Sequence, residues 1–317
     1  MALCERVAGG EAKDSVLVIG RGPLADDVAR ALASPERRIA IVGIGAPRAA
    51  STAMRIDPSS AIASRELAAI VAETKPDTLV VLALSESART PEQPWLSDPS
   101  IASMVTSALD RCLQHGSAVP ALLLLSSTAV YGVAQGSPLV FDERHALPRQ
   151  NVFESALARW AQGLRAAEKA LVLWAVTNGQ RVGVLRCASV FGGPMDSPLG
   201  AYVAARTAIR VLGFDPPCQV VHYDDLVRAI VLAVDARCAE VLNIVGNEVV
   251  PLSRLLALAG VLAIPVPGPL AGWMVTGTFD EAHLRWRNLA DGSRATVLLG
   301  FRAERTIEEC FGGQISR

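Results

Sequence analysis

The most constraining feature of this sequence is an alternation of short, largely apolar runs with stretches that carry helical apolar spacing. The predicted strands are Ser15–Gly20, Arg38–Val42, Asp77–Ala83, Pro120–Leu125 and Arg181–Leu185, and the predicted helices are Leu24–Leu32, Ser64–Glu73, Ser100–His115 and Phe153–Thr177. Strands that are apolar at every position are buried on both faces, as in a parallel sheet covered by helices. The pattern therefore predicts a doubly wound, Rossmann-type α/β fold whose function lies beyond the carboxyl ends of the strands.

The pattern changes after Phe191, where glycine- and proline-rich turns and shorter helices follow. We therefore predict two parts. Residues 14–190 form a Rossmann-type dinucleotide-binding domain to which residues 218–246 return. Residues 191–217 and 247–317 form a smaller C-terminal substrate lobe.

Composition excludes several classes of protein. Half of the residues are hydrophobic (51%) and the formal net charge is −1, which argues against wholesale disorder and against nucleic-acid binding. Six cysteines occur without a C-x-x-C pair, so we expect free thiols, no metal and a cytoplasmic protein. The uncharged stretch Leu255–Phe279 contains three prolines, and we interpret it as a buried helix followed by an apolar loop and not as a membrane span.

The first predicted strand runs into a glycine turn. Residues 20–25 read G-R-G-P-L-A, a G-x-G-x-x-A pattern between strand and helix. Gly20 permits the tight turn, Gly22 lets the backbone approach a pyrophosphate, and Ala25 allows close packing of helix on strand. We predict a dinucleotide site that includes Arg21 and Leu24 of the same turn. The other interpretation is a βα turn that binds nothing.

The carboxylate that usually holds the adenosine ribose of NAD is missing. It is expected about 20 residues after the glycine turn, where residues 42–45 read V-G-I-G. Arg21 and Arg48 lie near this position in the sequence and favour the 2′-phosphate of NADP. Two solvated surface arginines are an equally open interpretation.

The segment S-S-T-A-V-Y-G at residues 126–132 resembles the extended short-chain dehydrogenase/reductases of the NAD-dependent epimerase/dehydratase family. Four further segments resemble the family in the same order: I-D at 56–57, L-R-C-A-S-V-F-G-G-P at 185–194, H-Y-D-D-L at 222–226 and L-G-F at 299–301. The resemblance implies that Asp57 and Ala83 contribute to an NAD(P) site. It also implies that the helix Phe153–Thr177 belongs to a dimer interface. Its Leu157, Leu164, Leu171 and Trp174 supply a seam there or face the sheet of their own chain.

In the family, a Ser or Thr, a Tyr and a Lys four residues after that Tyr carry the proton chemistry of hydride transfer. The resemblance places Ser127 at the first position, but Trp160 stands at the Tyr position and Leu164 at the Lys position. None of the three tyrosines lies four residues before any of the three lysines, so no shifted alignment restores the pair. Tyr131, Glu143, His145 and Cys187 are candidate substitute acid–base groups, and His222 and Asp225 are expected to cap a helix.

Three functions remain open. In the first, the chain binds NAD or NADP without standard turnover. In the second, it is an enzyme with altered chemistry on a small carbonyl or sugar-like substrate, by non-redox isomerisation, cyclisation or elimination, or by NADPH-dependent reduction with substitute residues. In the third, cofactor binding is lost and the fold serves assembly. We expect a homodimer, a small-molecule substrate and no nucleic-acid partner.

Overall fold

A computed structural model of the protein describes residues 13–45, 54–82, 99–132, 137–148, 156–194, 197–268, 270 and 289–312. The strands of this part are β1 (Asp14–Gly20), β2 (Arg37–Ile44), β3 (Arg55–Ile56), β4 (Thr78–Val81), β5 (Ala121–Ser127), β6 (Val182–Cys187), β7 (Ser189–Phe191), β8 (Thr207–Val211), β9 (Pro217–His222), β10 (Val241–Ile244), β11 (Val249–Pro251) and β12 (Leu262–Val266). The helices are α1 (Pro23–Leu32), α2 (Ala63–Thr74), α3 (Pro99–Gln114), α4 (Ala156–Thr177), α5 (Pro198–Val203), α6 (Tyr223–Asp235), α7 (Leu252–Leu258) and α8 (Ser293–Leu299), with 3-10 helices at Thr128–Tyr131 and Glu309–Phe311.

Seven strands form one sheet in the order β10-β6-β5-β4-β1-β2-β3. Every neighbouring pair in it is parallel. The chain runs outward from β1 through β2 to β3, and outward on the other side from β4 through β5 to β6. The order therefore reverses between β1 and β4, which is where ligands bind in such sheets. The predicted Rossmann-type fold is confirmed.

Helices cover both faces of this sheet, and the side chains of each strand alternate between the two cores. Leu17 and Ile19 of β1 pack in the core under α2, α3 and α4. Val16 and Val18 of the same strand pack in the core under α1 and α6. Burial on both faces explains why the central positions of β1 are apolar without alternation.

Two smaller sheets lie beside the main one. In the first, β9 lies between β7, to which it is parallel, and β11, to which it is antiparallel. The second consists of β8 and β12 in parallel. The interpretation of the stretch after Leu255 needs a correction, because Leu262–Val266 is strand β12 and not loop. Among the described residues, no helix is long and apolar enough to cross a membrane.

The apolar residues proposed for a dimer seam on α4 face the core of their own chain. Leu157, Leu164, Leu171 and Trp174 all belong to the core cluster under α2 and α3. The indole Nε1 of Trp174 donates a hydrogen bond of 2.6 Å to Asp110 of α3. These four side chains therefore stabilise the sheet–helix packing of one subunit.

Candidate functional site

The glycine turn joins β1 to α1 at the carboxyl edge of the sheet. Gly22 has φ +65° and ψ −159°, a conformation that only glycine adopts readily, and it precedes Pro23 at the first helical position. A Cβ built at Gly22 would meet no atom within 4 Å, so open space lies beside this backbone. Leu24 and Ala25 are buried in the core behind the turn. The turn thus presents the amino end of a helix, with its dipole, to open space.

Asp57 directly follows β3, at the same edge of the sheet as the glycine turn. Its Oδ1 accepts hydrogen bonds from the amide (3.0 Å) and the hydroxyl (2.7 Å) of Ser59. These two bonds, together with the positive charge of Arg21, lower the pKa of the Asp57 carboxyl below its usual range. Ser59 has the larger effect on the pKa of the Asp57 carboxyl, and the charge of Arg21 adds to it. Arg48 and Ala83, also predicted for this site, lie outside the described residues.

Ser127 ends β5 and caps the 3-10 helix that follows. Its side-chain oxygen accepts a hydrogen bond of 3.2 Å from the amide of Ala129. The hydroxyl proton is not used in that bond. Ser127 is thus held at the carboxyl edge of the sheet, on the strand next to β4.

Trp160 and Leu164 lie one turn apart on α4, in the hydrophobic core. Their exposed fractions are 5% and 1%. Both side chains pack among apolar neighbours, and neither can transfer a proton to an alkoxide or carry a positive charge. The adjacent Arg165 points elsewhere: its Nη1 donates a hydrogen bond of 3.1 Å to the carbonyl of Val130.

A buried polar network lies beside α4 and includes Tyr131. The Tyr131 hydroxyl donates to Oδ1 of Asn243 at 2.8 Å and accepts from Nη1 of Arg186 at 3.0 Å. The Arg186 guanidinium lies 5.0 Å from the centre of the Tyr131 ring. The Phe141 ring stacks on the Tyr131 ring with their centres 4.9 Å apart. Burial raises the pKa of the Tyr131 phenol, although the contacts with Arg186 and Asn243 act in the opposite direction. Tyr131 therefore packs as a structural residue whose hydroxyl already has two partners.

Arg186 and Glu168 form the charged centre of this network. Nη2 of Arg186 pairs with Oε1 of Glu168, and the hydroxyl of Ser126 donates to Oε2 of the same carboxylate at 3.0 Å. The pairing with Glu168 keeps the pKa of Arg186 raised although burial acts to lower it. Arg186 belongs to the family-like segment 185–194, but nothing in the sequence shows that its side chain meets that of Glu168.

The other candidate acid–base residues have structural contacts. Oε1 of Glu143 accepts the backbone amide of Asn243 at 2.9 Å, and His145 packs edge-on against Phe141. Burial raises the pKa of the Cys187 thiol to about 12, which leaves it protonated and unreactive at neutral pH.

Of the two residues expected to cap a helix, His222 caps the start of α6, whereas Asp225 lies inside its first turn and contacts another segment instead. His222 Nδ1 accepts the amide of Asp224 at 3.1 Å. Asp225 accepts the amides of Glu304 and Arg305 at 3.1 Å and so fixes the C-terminal segment to α6.

Comparison with known sequences decides the family. Residues 16–245 match the sequence model of the NAD dependent epimerase/dehydratase family. The chain belongs to this family. Its match covers the main sheet from β1 to β10, including the glycine turn and both network residues Glu168 and Arg186.

The curated relatives of this family member are mycobacterial. An uncharacterized protein of Mycobacterium tuberculosis (strain H37Rv) and one of Mycobacterium bovis are each 27% identical over 214 residues, or 62% of this chain. The matched part is 54% of each relative, so the chain spans about half their length.

Several solved structures share the fold. MoeE5, in complex with UDP-glucuronic acid and NAD, superimposes with a TM-score of 0.67 at 21% identity, over 95% of this chain and 97% of that one. The UDP-glucose 4-epimerase of Thermotoga maritima gives 0.67 at 17% identity, over 94% and 96% of the two chains. The UDP-glucuronic acid 4-epimerase of Bacillus cereus gives 0.65 at 16%, over 95% and 97%.

The residues of this family member fit one half of a dinucleotide better than the other. At the pyrophosphate, the open backbone of Gly22 and the start of α1 offer amides and a favourable dipole. At the position that the resemblance assigns to the family's Lys, Leu164 offers only hydrocarbon. The described residues thus offer amides and a helix dipole at the glycine turn and no charge at Leu164.

Proposed function

We propose that this member of the epimerase/dehydratase family binds NAD or NADP at the carboxyl edge of its sheet without the standard hydride-transfer turnover. The observation that carries the proposal is the burial of Trp160 and Leu164 at the positions of the family's Tyr and Lys. The retained turn at Gly20 and Gly22 supports the binding half of the proposal.

The physical argument concerns charge on the substrate oxygen. Hydride transfer to a carbonyl builds alkoxide charge, which enzymes stabilise with preorganised donors and cations. An indole and an isobutyl group replace a phenol and an ammonium here, so the pocket is less favourable to that charge. Arg165 does not substitute for the lost cation, because it is rotated by about 100° on the helix from Leu164 and donates to Val130.

The test is a titration combined with a turnover assay. Purified protein is titrated with NADH and NADPH by fluorescence, and is then incubated with each cofactor and a panel of small carbonyl compounds and nucleotide sugars. We expect saturable binding and no steady change in cofactor absorbance. Steady turnover would support the alternative of an enzyme with substitute residues, for which Ser127 is the best-placed donor. If the fluorescence titration shows no binding of either cofactor, the result would support an assembly role instead.

The structural neighbours suggest which nucleotide sugars belong in the panel. MoeE5 is described with UDP-glucose and with UDP-glucuronic acid, each together with NAD. We propose UDP-sugars as the first substrate class to test, followed by other small carbonyl compounds. Mass spectrometry of small molecules released from the denatured protein identifies a bound ligand without a prior choice of candidate substrates.

The cofactor preference, compartment and assembly are part of the proposal. Arg21, together with Arg48, favours NADP over NAD. The cysteines of the described residues are free thiols, which supports a reducing compartment such as the cytoplasm. We retain the homodimer and the division into a Rossmann-type domain and a smaller lobe as proposals. Light scattering of the purified protein tests the homodimer, and limited proteolysis tests the division into two parts.

A further inference from the structure

Three neighbouring strands place Gly20, Gly43 and Arg55 side by side at the carboxyl edge of the sheet. Gly20 of β1 is in register with Gly43 of β2, and Gly43 is in register with Arg55 of β3. Because neighbouring strands lie about 4.8 Å apart, the Arg55 backbone is about 10 Å from the glycine turn. An extended arginine side chain can cover much of that distance.

The Arg55 side chain lies over Gly43, on the same side of the sheet as α1. Ile44 and Ile56 pack in the core on the α2 and α3 side, so their predecessors Gly43 and Arg55 face the other side. A Cβ built at Gly43 would lie 3.1 Å from Nε and 3.2 Å from Cγ of Arg55. The absence of a side chain at Gly43 is therefore what allows Arg55 to cross the end of β2.

This position is where NAD-binding folds of this type carry their ribose carboxylate. Here the end of β2 is Gly43-Ile44-Gly45, and an arginine covers it instead. On the other flank, Arg21 extends from the glycine turn close enough to Asp57 to lower the pKa of its carboxyl, after the larger effect of Ser59. Within the described part of the chain, Arg55 forms no ion pair with a carboxylate, so its charge is available to a ligand.

We propose that Arg55, together with Arg21, binds the 2′-phosphate of NADP and makes the site selective for NADP over NAD. The inference rests on the proposed cofactor binding and identifies a residue that the sequence order conceals. A guanidinium group forms paired, charge-assisted hydrogen bonds with phosphate oxygens. A guanidinium group cannot accept a hydrogen bond from the ribose 2′-hydroxyl of NADH, as the usual carboxylate does, so NADH binds less tightly.

The experiment compares Arg55→Gln with the wild type. NADPH, NADH, 2′,5′-ADP and 5′-AMP are titrated by calorimetry. We expect the wild type to bind NADPH and 2′,5′-ADP at least about tenfold more tightly than their unphosphorylated counterparts, as loss of a charged hydrogen bond implies. Arg55→Gln keeps the aliphatic stem over Gly43 and loses the charge. It should remove most of the tenfold preference while NADH affinity stays within about twofold.

Two further variants keep the test decisive. Arg38→Gln removes an exposed arginine at the amino end of β2 and should change no affinity. Gly43→Asp adds a carboxylate where only the flexible end of Arg55 must move, and combined with Arg55→Gln it should reverse the preference toward NADH. If both cofactors bind and Arg55→Gln alters neither, the assignment of Arg55 is overturned while the proposed function stands. If neither cofactor binds the wild type, the proposed function and this inference are both overturned.

Discussion

The guanidinium of Arg186 and the carboxylate of Glu168 form an ion pair inside the protein, and each side chain is only 6% exposed. Arg186 comes from β6 and Glu168 from α4, so the pair joins the sheet to the helix that carries Trp160 and Leu164. Ser126 and Tyr131 complete its hydrogen bonds. Helix α4 thus contributes to a hydrogen-bonded polar network through Glu168 and to the apolar core through Trp160 and Leu164.

Removing one partner of this pair should be costly. Arg186→Met leaves the Glu168 carboxylate buried without its cation, and we expect the free energy of unfolding to fall by about 3–5 kcal/mol. The double variant Arg186→Met with Glu168→Met should recover much of that loss, because no lone charge stays buried. Urea unfolding monitored by circular dichroism gives the free energies of unfolding of the wild type, the single variant and the double variant. Lys13→Met, which breaks an exposed pair with Glu36, is the control and should leave the midpoint unchanged; an equal effect of both arginine and lysine variants would contradict the prediction.

The glycine turn should matter equally for both cofactors. Gly22→Ala forces a side chain into a backbone region that is almost restricted to glycine, at a cost of about 1–3 kcal/mol. Because the turn faces the pyrophosphate that NADH and NADPH share, we expect both affinities to fall by a similar factor in a fluorescence titration. Gly213→Ala also alters a positive-φ glycine in open space, and it should reduce stability only. Loss of NADPH affinity alone in Gly22→Ala would assign the turn to the 2′-phosphate instead.

Restoring the family's pair tests whether the nicotinamide half of the site persists. Trp160→Tyr combined with Leu164→Lys returns a phenol and a cation to α4, and we predict tighter NAD(P)H binding because the new ammonium can reach the ribose. The buried position should also lower the pKa of the new lysine through desolvation. The control is Trp160→Phe with Leu164→Met, which changes size but adds no polar group. Affinities are measured by fluorescence titration, and identical values for both double variants would mean that this half of the groove has closed.

The sequence predicted the main sheet well, because strands buried on both faces are apolar throughout and are separated by helices of ordinary length. Strand β3 carries no sequence signal because two residues have no periodicity, and β12 reads as loop because Pro265 lies within it and Gly260, Pro267 and Gly268 lie beside it, although it pairs in parallel with β8.

The candidate site was harder to predict. The turn at Gly20 and Gly22 is local and therefore readable. In contrast, the approach of Arg55 to Gly43 depends on β3 pairing with β2, and the contact of Tyr131 with Asn243 joins residues that are distant in the sequence. Tyr131 was a reasonable acid–base candidate by residue type alone. Only the packing shows that its hydroxyl has partners on both sides.

The contact between α1 and α6 should make stability depend on pH in a defined direction. The Tyr223 hydroxyl donates to Oδ2 of Asp27 at 2.7 Å, and this bond is the largest cause of the lowered pKa of Asp27. A carboxyl whose pKa is lower in the folded state contributes stability above its unfolded pKa of about 3.9 and loses it as the pH falls through the folded value. Tyr223→Phe should therefore destabilise the protein at pH 7, and its difference from the wild type should shrink below about pH 4.

The matched control for this prediction is Tyr202→Phe. The Tyr202 hydroxyl donates to the backbone carbonyl of Ile209, which does not titrate, so its removal should cost the same at every pH. Urea unfolding of the wild type and both variants at pH 7, 5, 4 and 3 gives the comparison. A constant difference between Tyr223→Phe and the wild type across this range would show that Asp27 does not derive its low pKa from Tyr223.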